Sequence, residues 1–325
     1  MRIFSGIRPT GELHIGNYFG AMKQWLELQE KNECFFSIVD LHAVTTPYQK
    51  ELLQKNILEL MAAFLAAGLD PEKCTIFVQS QIKEHTELAW ILGTICPVGE
   101  LKRMTQFKEK VKKYSKNINA GLLNYPLLMA SDILLYRTDL VPVGKDQKQH
   151  VELTQFLAEK FNKKFGTVFK IPKPLIPKAG AKVMSLQNPK KKMSKTDDPE
   201  GCLGLFDTPE EIERKIKIAV TDSGKEVKYD LMKKPGISNL LTIYSLFSGK
   251  SIKDLEKKFS GLGYEKFKKS LTELVVESLK PFREKRNELL KREVFLKEIL
   301  ERGRKRAQIV ARSMIDDVKR EMGLV

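Results

Sequence analysis

The chain has 325 residues, of which 42% are hydrophobic and 30% charged. This composition is typical of a folded protein of about two domains and excludes collagen-like, low-complexity and wholly disordered chains. Lysine and arginine exceed aspartate and glutamate by 57 to 41, and the net charge of +16 is compatible with a polyanionic partner without identifying one.

The longest mostly apolar stretch runs from Leu58 to Leu69. It is much shorter than the ~20 residues that a membrane-spanning helix needs. The first ten residues contain no apolar run before a cleavage site, so they do not resemble a secretory signal. We therefore expect a cytoplasmic protein that makes no membrane contact.

The four cysteines are scattered along the chain, at Cys34, Cys74, Cys96 and Cys202. They form no CxxC pair or other spacing typical of a zinc or iron–sulfur site. We therefore expect reduced, mostly buried thiols and no metal ion held by protein ligands.

The first half of the chain alternates short apolar runs with helical patterns. Buried strands are predicted at residues 3–5, 34–39, 75–79 and 140–143 because each run is continuous and apolar. Residues 84–136 form a mostly helical insertion before the fourth of these strands. Strands that alternate with helices predict an α/β domain built on a parallel sheet.

The second half has a different pattern, which begins after a proline-rich stretch near residue 174. The run Thr208-Pro209-Glu210-Glu211 predicts a helix start with a capping box. Only helical patterns follow, including a long one over residues 283–322. We predict an α/β domain over 1–183 and a helical region over 184–325, whose last helix is a candidate for packing back on the first domain.

The first crossover contains a candidate phosphate site. Arg8-Pro9-Thr10-Gly11 follows the first strand, and His14-Ile15-Gly16-Asn17 begins a helix. The N–H groups and positive dipole end of a helix N-terminus suit a phosphate. Gly16 would let a flat ring approach the backbone, and His14 could donate to phosphate oxygens. From these residues alone, an ordinary crossover turn with a surface histidine is the alternative.

Two further polar segments could contact a nucleotide. Lys192-Met193-Ser194-Lys195-Thr196 is predicted as a loop with two lysines three positions apart, which could reach the outer phosphates. Gly144-Lys145-Asp146-Gln147 follows the fourth strand, and ligands bind beyond the carboxyl ends of parallel strands. Asp146 could therefore bind a ribose hydroxyl or an ammonium group. A solvated lysine loop and an N-capping aspartate are the alternatives.

One acid, Asp132, lies in a segment from Tyr125 to Tyr136 that is apolar nearly all round. A carboxylate on such a helix is costly unless a donor reaches it. Either Asp132 is paired with Arg137 or another neighbour, or it accepts an N–H or O–H group from a ligand.

Taken together, these segments resemble the motifs of one enzyme class. His14-Ile15-Gly16-Asn17 resembles the HIGH motif, and the run from Lys192 to Thr196 resembles the KMSKS motif, of class I aminoacyl-tRNA synthetases. Thr196 stands in place of the last serine and keeps the hydroxyl, and Asn17 stands in place of the last histidine. Five further segments look like bacterial tryptophanyl-tRNA synthetases, and the resemblance covers essentially the whole chain: residues 4–11, 40–43, 104–108, 144–150 and 234–241.

The resemblance implies a Rossmann-type catalytic domain followed by a helical tRNA-binding region. It implies that L-tryptophan attacks the α-phosphate of ATP to give tryptophanyl-adenylate and pyrophosphate, and that the tryptophanyl group then passes to the 3' end of tRNA(Trp). Mg2+ enters with ATP as the substrate complex, and no tightly bound cofactor is implied. A homodimer joined through the insertion around residues 99–107 is also implied.

The resemblance further assigns residues to each substrate. The implied catalytic residues are His14, Lys192 and Lys195. The implied ATP-binding residues are Arg8, Pro9, Thr10, Gly16, Asn17, Gly144, Lys145, Asp146, Val183, Lys192, Met193, Ser194, Lys195 and Thr196. The implied tryptophan-binding residues are Phe4, Gly6, His42, Tyr125, Met129, Asp132, Val141, Val143 and Gln147.

Three other functions stay open from the residues alone. A tyrosyl-tRNA synthetase shares the fold and the ATP motifs, and Asp132 would accept a phenol O–H as readily as an indole N–H. A small-molecule nucleotidylyltransferase shares the HIGH-type turn but would not need the helical region. A non-catalytic RNA-binding protein on the same scaffold is the third, although His14, Lys192, Lys195 and Asp146 are all intact.

Overall fold

A computed structural model describes residues 1–113, 118–176, 182–194 and 198–325. Its sheet has five parallel strands in the order β3-β2-β1-β4-β5. The strands are β1 (Arg2–Ile7), β2 (Glu33–Ile38), β3 (Cys74–Val78), β4 (Leu140–Pro142) and β5 (Lys173–Leu175). The predicted parallel sheet and its first four strands are confirmed. The sequence does not predict β5, because three residues with Pro174 in the middle carry no strand pattern.

Helices fill the connections between strands, and the predicted helical insertion is confirmed as four of them, α5 to α8. A π-helical turn at Tyr18–Met22 joins the first two helices. The helices up to β5 are α1 (Ile15–Asn17), α2 (Lys23–Gln29), α3 (Asp40–Ala43), α4 (Lys50–Ala67), α5 (Glu84–Ile95), α6 (Val98–Lys102), α7 (Thr105–Lys113), α8 (Ala120–Leu134) and α9 (Lys148–Phe165).

The predicted helical character of the second half is also confirmed. Its helices are α10 (Pro209–Lys217), α11 (Pro235–Ser248), α12 (Ile252–Lys258), α13 (Gly263–Leu290) and α14 (Glu293–Glu321). The capping box at the start of α10 is present, since Thr208 accepts from the Glu211 N–H and Glu211 accepts from the Thr208 N–H. One continuous helical pattern over 283–322 is wrong, because α13 ends at Leu290 and α14 starts at Glu293 without a glycine or proline to signal the break.

The contacts divide the chain into two compact units. Unit 1 contains Met1–Thr10, Gln24–Lys178 and Arg292–Val325, and unit 2 contains Gly11–Lys23 and Ala179–Lys291. Both units are discontinuous in sequence, whereas the sequence prediction divides the chain once, between residues 183 and 184. In unit 1, α14 packs on β3 so closely that a Cβ atom on Gly303 would collide with the carbonyl oxygen of Ile76.

Aromatic rings form the centre of the core in unit 1. Tyr136 is fully buried, and its ring stacks on Phe35 at 4.7 Å and on Phe4 at 5.4 Å between ring centroids. Phe77 lies 5.4 Å from the same ring. Because these rings come from β1, β2, β3 and the segment after α8, they fix the end of α8 against the sheet.

In the described ranges no helix is long and apolar enough to span a bilayer. In the same parts of the chain no group of three or more His, Cys, Asp or Glu side chains is placed to hold a metal ion.

Candidate active site

The strand order predicts a ligand site at the carboxyl ends of β1 and β4. The chain leaves β1 toward β2 on one side, whereas β4 pairs with β1 on the other, so the topology switches between these two strands. Ligands of open parallel sheets bind beyond the carboxyl ends of the strands at such a point. Phe4 and Val141 are buried on these strands, and Gly6 lies near the carboxyl end of β1. A Cβ atom on Gly6 would lie 2.8 Å from Val39 Cγ1, so only glycine fits there.

Asp132 on α8 is 1% exposed and accepts three hydrogen bonds. His42 Nε2 lies 2.8 Å from Oδ2, while His85 Nδ1 at 2.6 Å and Gln79 Nε2 at 2.7 Å both contact Oδ1. Burial alone would raise the pKa of this carboxyl group. The charge and hydrogen bond of His42, with the hydrogen bond and charge of His85, outweigh burial and hold the pKa below its usual range. Asp132 is therefore an ionised, acceptor-only group.

From the sequence, Asp132 could be paired with Arg137 or another neighbour, or it could accept a hydrogen bond from a ligand. The structure excludes the pair with Arg137. Arg137 does not pair with Asp132; its guanidinium contacts Asp317 on α14 at 2.6 Å. The donors to Asp132 come instead from α3, from the turn after β3 and from α5. His42 was predicted as part of the pocket wall, whereas Gln79 and His85 are two further partners of Asp132 that the sequence analysis misses. No local signal could have found them, since they lie 53 and 47 positions before Asp132.

A carboxylate has about four acceptor positions. The described donors use two on Oδ1 of Asp132 and one on Oδ2. One acceptor position on Oδ2 is therefore not used by any donor in the described residues.

Tyr125 is a second buried polar group on α8, and it is 6% exposed. Its hydroxyl lies 2.9 Å from His150 Nε2, and its ring lies edge-on to His42 with centroids 6.2 Å apart. Burial, with the charges of Lys110 and His42, lowers the pKa of His150 to about 4 although Asp146 acts in the opposite direction. His150 is therefore neutral near pH 7, so Tyr125 has an uncharged partner.

Lys110 on α7 is a third functional candidate that the sequence analysis misses. Its Nζ lies 3.9 Å from the centre of the Tyr125 ring. Burial, followed by the charge of Arg8, lowers the pKa of Lys110 to about 8. Two cations held near one another disfavour the charged form of either unless an anion binds, so this part of unit 1 favours an anionic ligand.

The segment after β4 leads into α9. Its residues 145–147 form a short 3-10 turn. Asp146 is exposed, and its Oδ2 accepts from Gln147 Nε2 at 2.9 Å. A Cβ atom on Gly144 would lie 2.6 Å from Asp146 Oδ1, so a larger residue there would require the Asp146 side chain to move. Met129 and Val143, which were predicted for the tryptophan site, are partly buried against the hydrophobic core of unit 1.

In unit 2, the HIGH-type turn is built by its own side chains. His14 is the N-cap of α1, and its Nδ1 accepts from the Gly16 N–H at 3.1 Å. Asn17 Oδ1 accepts in return from the His14 N–H at 3.0 Å. A Cβ atom on Gly16 would lie 2.9 Å from the His14 ring. Glycine at this position therefore leaves room for the His14 ring as well as for a flat ligand. With Nδ1 accepting, a neutral His14 carries its proton on Nε2.

The backbone pairs this turn with a neighbouring segment of unit 2. Ile15 N–H donates to the Leu203 carbonyl at 3.0 Å, and Leu205 N–H donates to the Leu13 carbonyl at 2.8 Å. These contacts explain why Gly11–Lys23 clusters with unit 2 rather than with the strand that precedes it.

The KMSKS-type segment begins as one side of a small antiparallel bridge. Met184 pairs with Lys192, and Met193 N–H donates to the Val183 carbonyl at 3.1 Å. Val183 and Met193 are buried while Lys192 is exposed. Asn239 clamps the bridge, since its Oδ1 accepts from Met184 N–H and its Nδ2 donates to the Met184 carbonyl, both at 2.9 Å.

The predicted residues therefore fall into separate sets. The tryptophan-site residues all belong to unit 1, as do Arg8–Thr10 and Gly144–Asp146. Arg8 and Thr10 are exposed at a tight turn in which Thr10 N–H donates to the Arg8 carbonyl at 2.8 Å. His14, Gly16, Asn17, Val183 and Lys192–Ser194 belong to unit 2. Lys195 and Thr196 lie outside the described residues.

Comparison with known proteins identifies the family. The sequence model of the family "tRNA synthetases class I (W and Y)" matches residues 1–280. A tryptophan–tRNA ligase of Caldanaerobacter subterraneus subsp. tengcongensis is 52% identical over 325 residues, which are 100% of this chain and 98% of that protein.

Two crystal structures of tryptophanyl-tRNA synthetases have the same fold. That from Mycoplasma pneumoniae superposes with a TM-score of 0.89 at 37% identity and covers 100% of this chain and 98% of its own. That from Campylobacter jejuni, in complex with ADP and tryptophan, has a TM-score of 0.87 at 40% identity and covers 99% and 100%. The predicted fold class and family are thus confirmed. This chain belongs to the class I tRNA synthetases for tryptophan and tyrosine and, within them, to the bacterial tryptophan–tRNA ligases.

Proposed function

We propose how this tryptophan–tRNA ligase recognises and activates its substrates. In the first step the carboxylate of L-tryptophan attacks the α-phosphate of ATP and pyrophosphate leaves. In the second step a terminal ribose hydroxyl of tRNA(Trp) attacks the carbonyl carbon of the adenylate and AMP leaves. Because the substrates supply both nucleophiles, the chain has to position them and stabilise charge.

Asp132 carries the proposal for the amino acid. Its ionised carboxylate is buried, and one acceptor position on Oδ2 is left by His42, His85 and Gln79. The indole N–H of tryptophan supplies one donor, whereas phenylalanine supplies none and would leave that position unsatisfied. Leaving this one acceptor position of a buried carboxylate unfilled costs ~1 to 3 kcal/mol, because the other three positions keep their donors. Specificity for tryptophan over phenylalanine follows from this difference.

The rest of the amino acid would contact the surroundings of Asp132. We assign the ammonium group of tryptophan to the Tyr125 hydroxyl and the Gln147 side chain. Tyr125 is hydrogen-bonded to His150, and Gln147 donates to Asp146. The side chain would pack against a wall of small and apolar groups together with the edge of His42. That wall consists of Phe4, Gly6, Met129, Val141 and Val143.

For ATP, we assign the phosphates to cations and helix N–H groups. His14 Nε2 would donate a hydrogen bond to the transferring phosphoryl group, and Lys192 and Lys195 would neutralise charge on pyrophosphate. Arg8 and Lys110 are further cations for these phosphates, because their mutual repulsion is relieved by an anion. Other contacts would come from the turn after β1, the start of α1, the 3-10 turn and the bridge: Pro9, Thr10, Gly16, Asn17, Gly144, Lys145, Asp146, Val183, Met193, Ser194 and Thr196.

Mg2+ is treated as part of the MgATP substrate. Magnesium keeps several waters and is commonly bound through substrate phosphates. We therefore assign it no protein ligand and propose no tightly bound cofactor.

The macromolecular partners are proposed on charge and exposure. The net charge of +16 supports tRNA as the polyanion, with the helices of unit 2 as the region that meets the anticodon. The helical insertion of unit 1 exposes Trp90 and Val98 at 78% and 58%, which supports a homodimer formed through this insertion. We propose a cytoplasmic location for the enzyme.

Amino-acid-dependent exchange of pyrophosphate into ATP tests the substrate assignment. We expect tryptophan to support exchange and tyrosine and phenylalanine to support it at least ~100-fold less efficiently, because phenylalanine carries no donor for Asp132 and the phenol ring of tyrosine differs from indole in size and shape. Exchange that is equal or greater with tyrosine would contradict the assignment. A mock preparation that carries Lys192→Ala serves as the control for contaminating synthetases.

A further inference from the structure

We infer that His85 is a positioning residue for amino-acid specificity: it fixes the Asp132 carboxylate so that one acceptor position stays aimed at the substrate. The inference deepens the proposed function and rests on Asp132 as the acceptor of the indole N–H. His85 itself is fully buried and is assigned no contact with the substrate.

Both ring nitrogens of His85 are engaged. Nδ1 lies 2.6 Å from Asp132 Oδ1, and Nε2 lies 2.8 Å from the Tyr136 hydroxyl. Because the ionised carboxylate can only accept, Nδ1 carries a proton. When the His85 ring is neutral, Nε2 accepts from the Tyr136 hydroxyl, and when the ring is charged, Nε2 donates to it. In both cases Nδ1 donates to Asp132, so Tyr136, His85 and Asp132 form one hydrogen-bonded chain.

The ends of this chain are held rigidly. Tyr136 cannot rotate freely, since its ring is stacked between Phe4 and Phe35. The backbone of His85 is also tied to α8, because Ser131 Oγ donates to the His85 carbonyl at 2.7 Å. Ser131 and Asp132 are adjacent, so α5 and α8 are joined through both the backbone and the side chain of His85.

The other donors to Asp132 cannot replace His85. His42 acts on the other oxygen, Oδ2, and is 8% exposed at the pocket wall. Gln79 shares Oδ1 but is a neutral donor, and its own Oε1 accepts from the Leu41 N–H at 3.1 Å. Without the Nδ1 donor, the carboxylate keeps one bond on each oxygen. It can then rotate, and the position offered to the substrate is no longer fixed.

Two substitutions of similar shape test the roles of the two ring nitrogens one at a time. The amide nitrogen of His85→Asn takes the place of Nδ1 and keeps a donor for Asp132. His85→Gln places its amide group near the position of Nε2, where its oxygen or nitrogen can bond the Tyr136 hydroxyl, but it leaves no donor for Asp132 at the position of Nδ1. Phe77→Leu is the matched packing control, because the Phe77 ring lies 6.0 Å from the His85 ring and carries no polar group.

The readout is a ratio of kcat/KM values in pyrophosphate exchange. The substrates are tryptophan and β-(3-benzothienyl)alanine, in which sulfur replaces the indole N–H with nearly the same shape. We expect His85→Gln to lower the preference for tryptophan by about tenfold, mainly through KM for tryptophan and with KM for ATP unchanged. His85→Asn and Phe77→Leu should keep the preference within about twofold of the parent, even if their thermal midpoints fall.

Equal preferences in His85→Asn and His85→Gln would overturn the inference, as would a loss in Phe77→Leu as large as that in His85→Gln. Asp132→Asn, measured alongside, separates this failure from a failure of the proposed function. If Asp132→Asn narrows the preference and His85→Gln does not, only the role of His85 is refuted. If Asp132→Asn leaves the preference unchanged, the indole contact of Asp132 is refuted and the role of His85 is refuted with it.

Discussion

His150 offers a test of the buried polar chemistry around Tyr125. It is 1% exposed, and burial with the charges of Lys110 and His42 lowers its pKa from 6.5 to about 4. A shift of ~2.5 pKa units corresponds to about 3 kcal/mol between the two protonation states of the ring. The folded protein should therefore keep His150 neutral down to about pH 4.

The sign of the effect on stability follows from that pKa. Because the pKa of His150 is lower in the folded chain, the unfolded chain binds the proton first as the pH falls. The contribution of His150 to stability is complete above about pH 6.5 and is lost progressively between pH 6.5 and about 4. Between pH 7 and pH 5 the loss should be about 2 kcal/mol.

Nuclear magnetic resonance of the histidine rings measures this pKa directly. The chain has 4 histidines, and the signal that disappears in His150→Gln identifies His150. We expect that signal to titrate with a midpoint near pH 4. The thermal midpoint of the parent should also fall more than that of His150→Gln between pH 7 and pH 5. A His150 signal that titrates near pH 6.5 would refute the reasoning about burial and the Lys110 charge.

Three further predictions concern the nucleotide and the tRNA. Lys195→Ala should lower the rate of adenylate formation by ~100-fold or more in rapid-quench assays and leave tryptophan affinity unchanged, because the lysine neutralises the leaving pyrophosphate; a near-parental rate would contradict it. Asn239→Ala frees both backbone groups of Met184 and should raise KM for ATP several-fold in pyrophosphate exchange, whereas an unchanged KM would show that the clamp is dispensable. The affinity for tRNA should fall steeply as salt rises in filter binding, and a flat dependence would contradict a charge-driven interface.

Much of the fold follows from local patterns. The first four strands and the insertion are readable because continuous apolar runs alternate with helical spacing, and the capping box before α10 marks a helix start in four residues. The failures have local causes too. The strand at Lys173–Leu175 is short and contains Pro174, and the break at Lys291 and Arg292 has no glycine or proline. Pro281, which would be expected to interrupt a helix, lies inside α13.

The site divides in the same way between local and distant contacts. The His14–Gly16–Asn17 turn is closed by contacts two and three residues apart, so its sequence is sufficient to identify it. The need of Asp132 for a partner is also visible in the sequence, because it is the one acid on an apolar helix. Its partners are not visible, since His42 and His85 lie 90 and 47 positions away and meet Asp132 only through the sheet topology.

Arg137 shows how sequence proximity misleads. It is five residues from Asp132, but its backbone adopts a φ of 51° and its side chain pairs with Asp317, 180 positions further along the chain. The packing of α14 in unit 1 creates that pair, and no pattern near residue 137 signals it.

We propose above all that the buried carboxylate of Asp132 accepts a hydrogen bond from the indole N–H of tryptophan. The most direct measurement compares kcat/KM for tryptophan and phenylalanine in pyrophosphate exchange, in the parent chain and in Asp132→Ala. Asp132→Ala removes the group that accepts from the indole N–H. It also removes the free-energy cost of an unfilled acceptor position when phenylalanine binds. We therefore predict a fall of ~10-fold or more for tryptophan, a narrower gap between the two amino acids and little change in KM for ATP. Activation of tryptophan within about twofold of the parent would show that Asp132 is a structural carboxylate satisfied by its histidines, and would contradict the account.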